Sequence, residues 1–124
     1  MSHILVIEDE RFLLRDIMEL LEFSDFEVLG ATSGEQGLEL AEQHQPDLIL
    51  CDIGLRGNMN GYQVLETLRN TLSISGIPFV FMSARADPDS RALGLEKGAD
   101  DYLTKPFAAS DLIDTVTRLL QETS

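Results

Sequence analysis

The sequence predicts an α/β fold: a single doubly wound, five-stranded parallel sheet with five helices. Three observations carry that expectation. Short apolar runs alternate with amphipathic stretches five times over, and the central runs "LILC" and "FVFM" are apolar at every position rather than every second one. No linker, internal repeat or low-complexity segment interrupts the alternation. Strands that are apolar on both faces need cover on both faces, and helices placed between parallel strands supply it.

The elements follow in order. "HILVI" (3–7) reads as the first strand, and "ERFLLRDIMELLEF" (10–23) as the first helix, with Phe12, Leu13, Ile17, Leu20 and Leu21 at helical spacing. "FEVLGA" (26–31) returns to strand. Ser33 precedes "GEQGLELAEQH", and Gln36 three positions on fits a capping box. "PDLILCD" (46–52) is the third strand, opened by a proline, and "GYQVLETLRNTL" (61–72) the third helix. "SGIP" turns the chain into the fourth strand, "FVFMS" (79–83). Pro88 in the first turn and Gly98 at the end bound a fourth helix, "PDSRALGLEKG" (88–98). "DYLT" (101–104) is the last strand, and Ser110 falls in the opening turn of a final helix carrying Leu112, Ile113, Val116, Leu119 and Leu120.

Composition narrows the function. A chain of 124 residues makes one domain able to bury a core unaided. No apolar run approaches the roughly 20 residues that cross a bilayer, and the start "MSHILVIEDE" has neither a basic n-region nor a cleavage site. No membrane partner is expected, and a cytoplasmic address is the default. The single cysteine, Cys51, sits inside an apolar run and reads as a core residue. With 9 basic against 22 acidic residues the formal charge is −13. Such a field opposes nucleic-acid binding, which rests on neutralising phosphates, and suits a cation or a basic partner surface.

Ligands of open α/β sheets gather at the carboxyl ends of the strands. Here the first strand ends in Glu8, Asp9 and Glu10, the third in Asp52, the fourth in Ser83 and Ala84, and the fifth in Thr104, Lys105 and Pro106. The first strand–helix turn, "VIEDE", offers carboxylates where phosphate-binding folds place glycines. Each residue alone has an ordinary reading: a helix cap, a loop hydroxyl, a surface lysine. Together, Glu8, Asp9 and Asp52 form a like-charge cluster that a cation relieves. Oxygen-only donors point to Mg²⁺ or Mn²⁺. An aspartate beside a divalent ion and a lysine can take up a phosphoryl group as an aspartyl phosphate. Asp52 is the candidate acceptor, and Ser83 can hydrogen-bond a phosphoryl oxygen for which Ala84 leaves room.

"ILVIEDE", "PDLILCDIGL", "FVFMSA" and "GADDYLTKPF" resemble, in order and interval, the signature blocks of the receiver domain of two-component response regulators, over nearly the whole chain. The resemblance implies a flavodoxin-like sheet ordered 2-1-3-4-5. It implies that Asp52 accepts phosphate from a sensor histidine kinase or phosphotransfer protein. Mg²⁺ would be held by Glu8, Asp9, Asp52 and the Gly54 carbonyl, Lys105 would contact the phosphoryl group, and Ser83 and Tyr102 would form the switch. The Lys105–Pro106 bond would be cis. Output would pass through the fourth helix, fifth strand and fifth helix to a downstream protein, with a homodimer through that face left open. The family catalyses its own phosphoryl transfer and is not a turnover enzyme.

Two departures stand out. Arg56 takes a position where the family commonly has proline, and Gly61 falls nine residues past Asp52, one more than the family spacing. The loop between them is therefore expected to differ in shape beside the site. Arg85, two after Ser83, can shield the phosphate or lie in solvent. The absence of a linker after "TRLLQETS" leads to the expectation of a single-domain regulator acting through protein contacts rather than a receiver cut from a longer protein. Two rivals fit less well. Phosphohydrolases with an aspartyl intermediate need a second Asp where Gly54 stands, and a flavodoxin needs a hydroxyl-rich first loop. An interaction module keeping only the fold remains the third reading.

Overall fold

The computed structural model describes residues 2–122. Five strands, β1 (His3–Ile7), β2 (Glu27–Ala31), β3 (Leu48–Asp52), β4 (Phe79–Ser83) and β5 (Asp101–Thr104), alternate with five helices. The helices are α1 (Arg11–Phe23), α2 (Gly34–His44), α3 (Gly61–Arg69), α4 (Pro88–Glu96) and α5 (Ala109–Glu122). All strand pairs are parallel and the order is β2-β1-β3-β4-β5. The doubly wound fold expected from the sequence and the 2-1-3-4-5 order implied by the resemblance both stand.

The period-2 alternation of strand side chains divides the core into two layers. Leu5, Ile7, Ile49, Cys51, Phe79 and Phe81 face Ala41 of α2 and Val64, Leu65 and Leu68 of α3. Ile4, Val6, Leu48, Leu50, Val80 and Met82 face Leu14, Ile17 and Leu21 of α1 and Leu112, Val116 and Leu119 of α5. Every residue of β3 and β4 is buried, which is why those runs carry no polar alternation.

The structure shifts several details of the sequence reading. In α1 the buried stripe is Leu14, Ile17 and Leu21, whereas Phe12 and Leu20 are exposed. The helix begins one residue later than expected because Glu10 is its cap, accepting from the N–H groups of Phe12 and Leu13. Helix α3 stops at Arg69 rather than at position 72, and Arg69 bonds outward to the carbonyls of Ser75, Ile77 and Gly98. The Ser33 cap forms, but Gln36 returns its bond to the N–H of Thr32 instead of Ser33. A full capping box occurs at α3, between Asn60 and Gln63. Helix α4 ends at Glu96, Gly98 follows at φ +113, and only Gly94 of α4 is buried, against Phe81 and Tyr102.

Candidate functional site

The carboxyl edge of the sheet brings Glu8, Asp9, Asp52, Ser83 and Lys105 to neighbouring strand ends. Asp52 is the last residue of β3, paired in register with Met82, and the next N–H, of Ile53, donates to the Met82 carbonyl at 3.0 Å. Glu8 follows β1 and is buried, its N–H still bound to Ala31 of β2 at 3.0 Å. The N–H of Lys105 donates to the Ser83 carbonyl at 2.7 Å, joining the ends of β4 and β5. The Lys105–Pro106 peptide bond is cis.

Lys105 bridges two of the acids. Its ammonium donates to Glu8 Oε1 at 2.5 Å and to Asp52 Oδ1 at 3.0 Å. Burial alone would lower the lysine pKa, but those two carboxylates hold it above its ordinary value. Burial also pushes the Glu8 carboxyl above its usual range; Lys105 and the Glu10 N–H offset this only in part, and Asp52 adds to it. One carboxylate oxygen each from Glu8, Asp9 and Asp52 lies within 4.8 Å of the others. Three converging oxygen donors of like charge, with one ammonium between two of them, suit a hard divalent cation such as Mg²⁺. Gly54 lies beside them: a Cβ built there would sit 3.7 Å from Asp52 Oδ2.

Two residues are arranged in ways the sequence did not announce. The Ser83 hydroxyl is buried and accepts from the N–H of Arg85 at 3.1 Å, within its own loop. Arg56 clasps Asp9: its backbone N–H and its Nε both donate to Asp9 Oδ2 at 2.9 Å. Burial would raise the Asp9 pKa, but the Arg56 bonds and charge bring it below the ordinary value. No local pattern signals a pairing across 47 positions. Tyr102 is buried with its hydroxyl donating to the Arg85 carbonyl at 2.8 Å, and the Arg85 side chain pairs with Asp87, the cap of α4. Cys51 is fully buried, and burial followed by the nearby acids pushes its thiol well up, so it is an inert core group.

Gly61 explains how the loop closes behind Asp52. A Cβ there would lie 2.4 Å from the Asp52 carbonyl oxygen and 2.7 Å from Ile53 Cα. The start of α3 thus rests directly on the backbone that carries Asp52, with the Gly61 N–H bound to the Ile53 carbonyl at 2.9 Å.

Residues 4–117 match the response regulator receiver domain family. The chain belongs to that family. The receiver domain is 39% identical over 121 residues to the transcriptional regulatory protein CpxR of Escherichia coli, a match covering 98% of this chain and 50% of that protein. It is 37% identical over 113 residues to the transcriptional regulatory protein KdpE of Mycobacterium tuberculosis, covering 91% of this chain and 48% of that one. The chain thus spans about half the length of these curated relatives. Among solved structures, the receiver domain of the Francisella response regulator 1452 superimposes with a TM-score of 0.93 at 28% identity, each chain covered completely. A CheY-like receiver domain protein from Methanospirillum hungatei gives 0.89 at 29%, with 98% of this chain and 95% of that one covered. Receiver domains are signalling proteins of two-component systems, so phosphohydrolase and flavodoxin are set aside. Among the described residues no helix is long and apolar enough to cross a membrane.

Proposed function

We propose that this receiver domain takes a phosphoryl group onto Asp52 from the phosphohistidine of a sensor kinase or phosphotransfer protein. Glu8, Asp9, Asp52 and the Gly54 carbonyl would hold Mg²⁺, or Mn²⁺ in its place. The observation that carries the reading is the ammonium of Lys105, 3.0 Å from Asp52 Oδ1 at a strand end shared with two further acids. In the transfer an Asp52 oxygen forms a bond to phosphorus as the donor's P–N bond breaks, its electron pair leaving on the imidazole. Lys105, already bonded to Asp52, is placed to follow the phosphoryl oxygens as negative charge grows on them. When bound, the divalent ion would supply further compensation of the negative charge.

The same reading assigns the switch to Ser83 and Tyr102. A phosphoryl group adds about −1.5 to −2 charge and new acceptor oxygens at this edge. The Ser83 hydroxyl can donate to one of them, and turning it toward the phosphoryl group shifts the Arg85 N–H from which it now accepts. Arg85 also holds the Tyr102 hydroxyl through its carbonyl, so a moving Arg85 loop releases Tyr102 and, beside it, the lightly anchored α4. Output then passes through the face of α4, β5 and α5 to a downstream protein or a second copy, without nucleic acid bound by this domain. The cellular setting consistent with this is the cytoplasm.

Incubation with a small phosphodonor, with and without Mg²⁺, followed by intact mass tests the acceptor. Metal-dependent gain of one phosphoryl group, absent in Asp52→Ala, is expected. A wild-type protein that stays unmodified with donor and Mg²⁺ present overturns the reading. For the switch, amide shifts across α4 and β5 should accompany phosphorylation and disappear in Ser83→Ala. Shifts that persist in the phosphorylated variant remove Ser83 from the pathway.

A further inference from the structure

We infer that Arg56 gates the metal site, its guanidinium occupying the Asp9 carboxylate until a divalent cation displaces it. The inference rests on the proposed metal reading and adds what sets the concentration at which the site fills.

Geometry comes first. The backbone N–H and the Nε of Arg56 both reach Asp9 Oδ2 at 2.9 Å, so one carboxylate oxygen already serves two donors. That carboxylate is one of the three whose oxygens converge within 4.8 Å. A cation approaching the cluster meets an Asp9 group that is already engaged.

Charge comes second. Three carboxylates at the site meet two cations, Lys105 and Arg56, which leaves one negative charge uncompensated. Without the arginine, two remain. A divalent ion is attracted less strongly to the first arrangement than to the second, and the difference is greatest at low ionic strength.

The third point separates the gate from the neighbouring lysine. The Lys105 side chain is only 19% exposed, held between Glu8 and Asp52. The Arg56 side chain is 80% exposed, while the Asp9 side chain it contacts is 14% exposed. On release, the guanidinium moves into water that rehydrates it at little cost, as for other exposed ion pairs. The backbone N–H keeps the loop tethered to Asp9 when the side chain leaves. The clasp depends on the Arg56 side chain, because a residue without a guanidinium would keep only the backbone bond to Asp9.

The test titrates wild type and Arg56→Ala with Mn²⁺, reading the free aquo ion by electron paramagnetic resonance, with Mg²⁺ as competitor. The alanine variant retains the backbone N–H, and a urea midpoint equal to that of wild type shows it folded. Arg56→Ala should bind about three- to tenfold more tightly at low ionic strength, with the gap narrowing at high salt. In wild type, the Arg56 Nε–Hε resonance should move toward its solvent position on addition of Mg²⁺. Equal or weaker binding by the variant, or an unmoved resonance, overturns the gate and leaves the metal reading standing. No metal response in either protein overturns both.

Discussion

Replacing Gly61 by alanine tests whether the start of α3 holds Asp52 in place. The added Cβ would lie 2.4 Å from the Asp52 carbonyl oxygen and 2.7 Å from Ile53 Cα, where ordinary contacts begin near 3.4 Å. Both obstacles are backbone and cannot rotate aside, so α3 and the end of β3 must separate by about 1 Å, the difference between 3.4 and 2.4 Å. Overpacking of this kind costs about 1–3 kcal/mol. Separation also strains the 2.9 Å bond from Gly61 N–H to the Ile53 carbonyl, worth about 1 kcal/mol more. A total loss of about 2–4 kcal/mol is expected, read as a lower urea midpoint at unchanged slope. If the reading of Asp52 as acceptor holds, a displacement of that size at the reacting carboxylate also slows phosphoryl uptake, by up to about 10²-fold. Intact-mass time courses with a small phosphodonor measure it. A variant with the wild-type midpoint would refute the packing argument. A variant that is destabilised yet phosphorylated at the wild-type rate would show that the α3 contact supports the fold and not the site.

Two further outcomes follow from the same geometry. The Glu8 carboxyl has its folded pKa raised, chiefly by burial, so its favourable contribution is full below its unfolded value near 4.5 and is lost as pH rises through the raised one. Glu8→Gln lacks that loss, so the variant's stability relative to wild type should increase as pH rises above about 4.5; urea midpoints measured across a pH series starting there check it, and a constant or shrinking difference would contradict the burial argument. Asn60→Ala removes the capping box at the start of α3 and should cost about 1 kcal/mol, seen as a fall in thermal midpoint of roughly 2–6 °C; an unchanged midpoint would show that the contact of Gly61 with β3 alone sets the helix start.

Much of the molecule was legible before any coordinates. Runs apolar at every position, "LILC" and "FVFM", announce strands buried on both faces, and local cap and turn signals such as Ser33, Pro88 and Gly98 mark helix ends. Strand-end chemistry pointed to Glu8, Asp9, Asp52, Ser83 and Lys105 because a parallel sheet aligns those ends. Boundaries were less legible where a residue serves two roles. Glu10 fits a helix by composition but caps one, and Phe12 fits an apolar stripe by spacing but faces solvent, because α1 is turned so that Leu14, Ile17 and Leu21 meet the sheet.

By itself, the order of residues determined the alternation of strands and helices and which side chains stand at the strand ends, since both depend on local periodicity. Only the tertiary structure decided who those side chains pair with. Lys105 between Glu8 and Asp52 and Arg56 on Asp9 each join positions far enough apart in the chain that no local spacing encodes them. Such pairings depend on how loops lie once the sheet has formed, where distances of a few tenths of an ångström decide between a hydrogen bond, an ion pair and a clash.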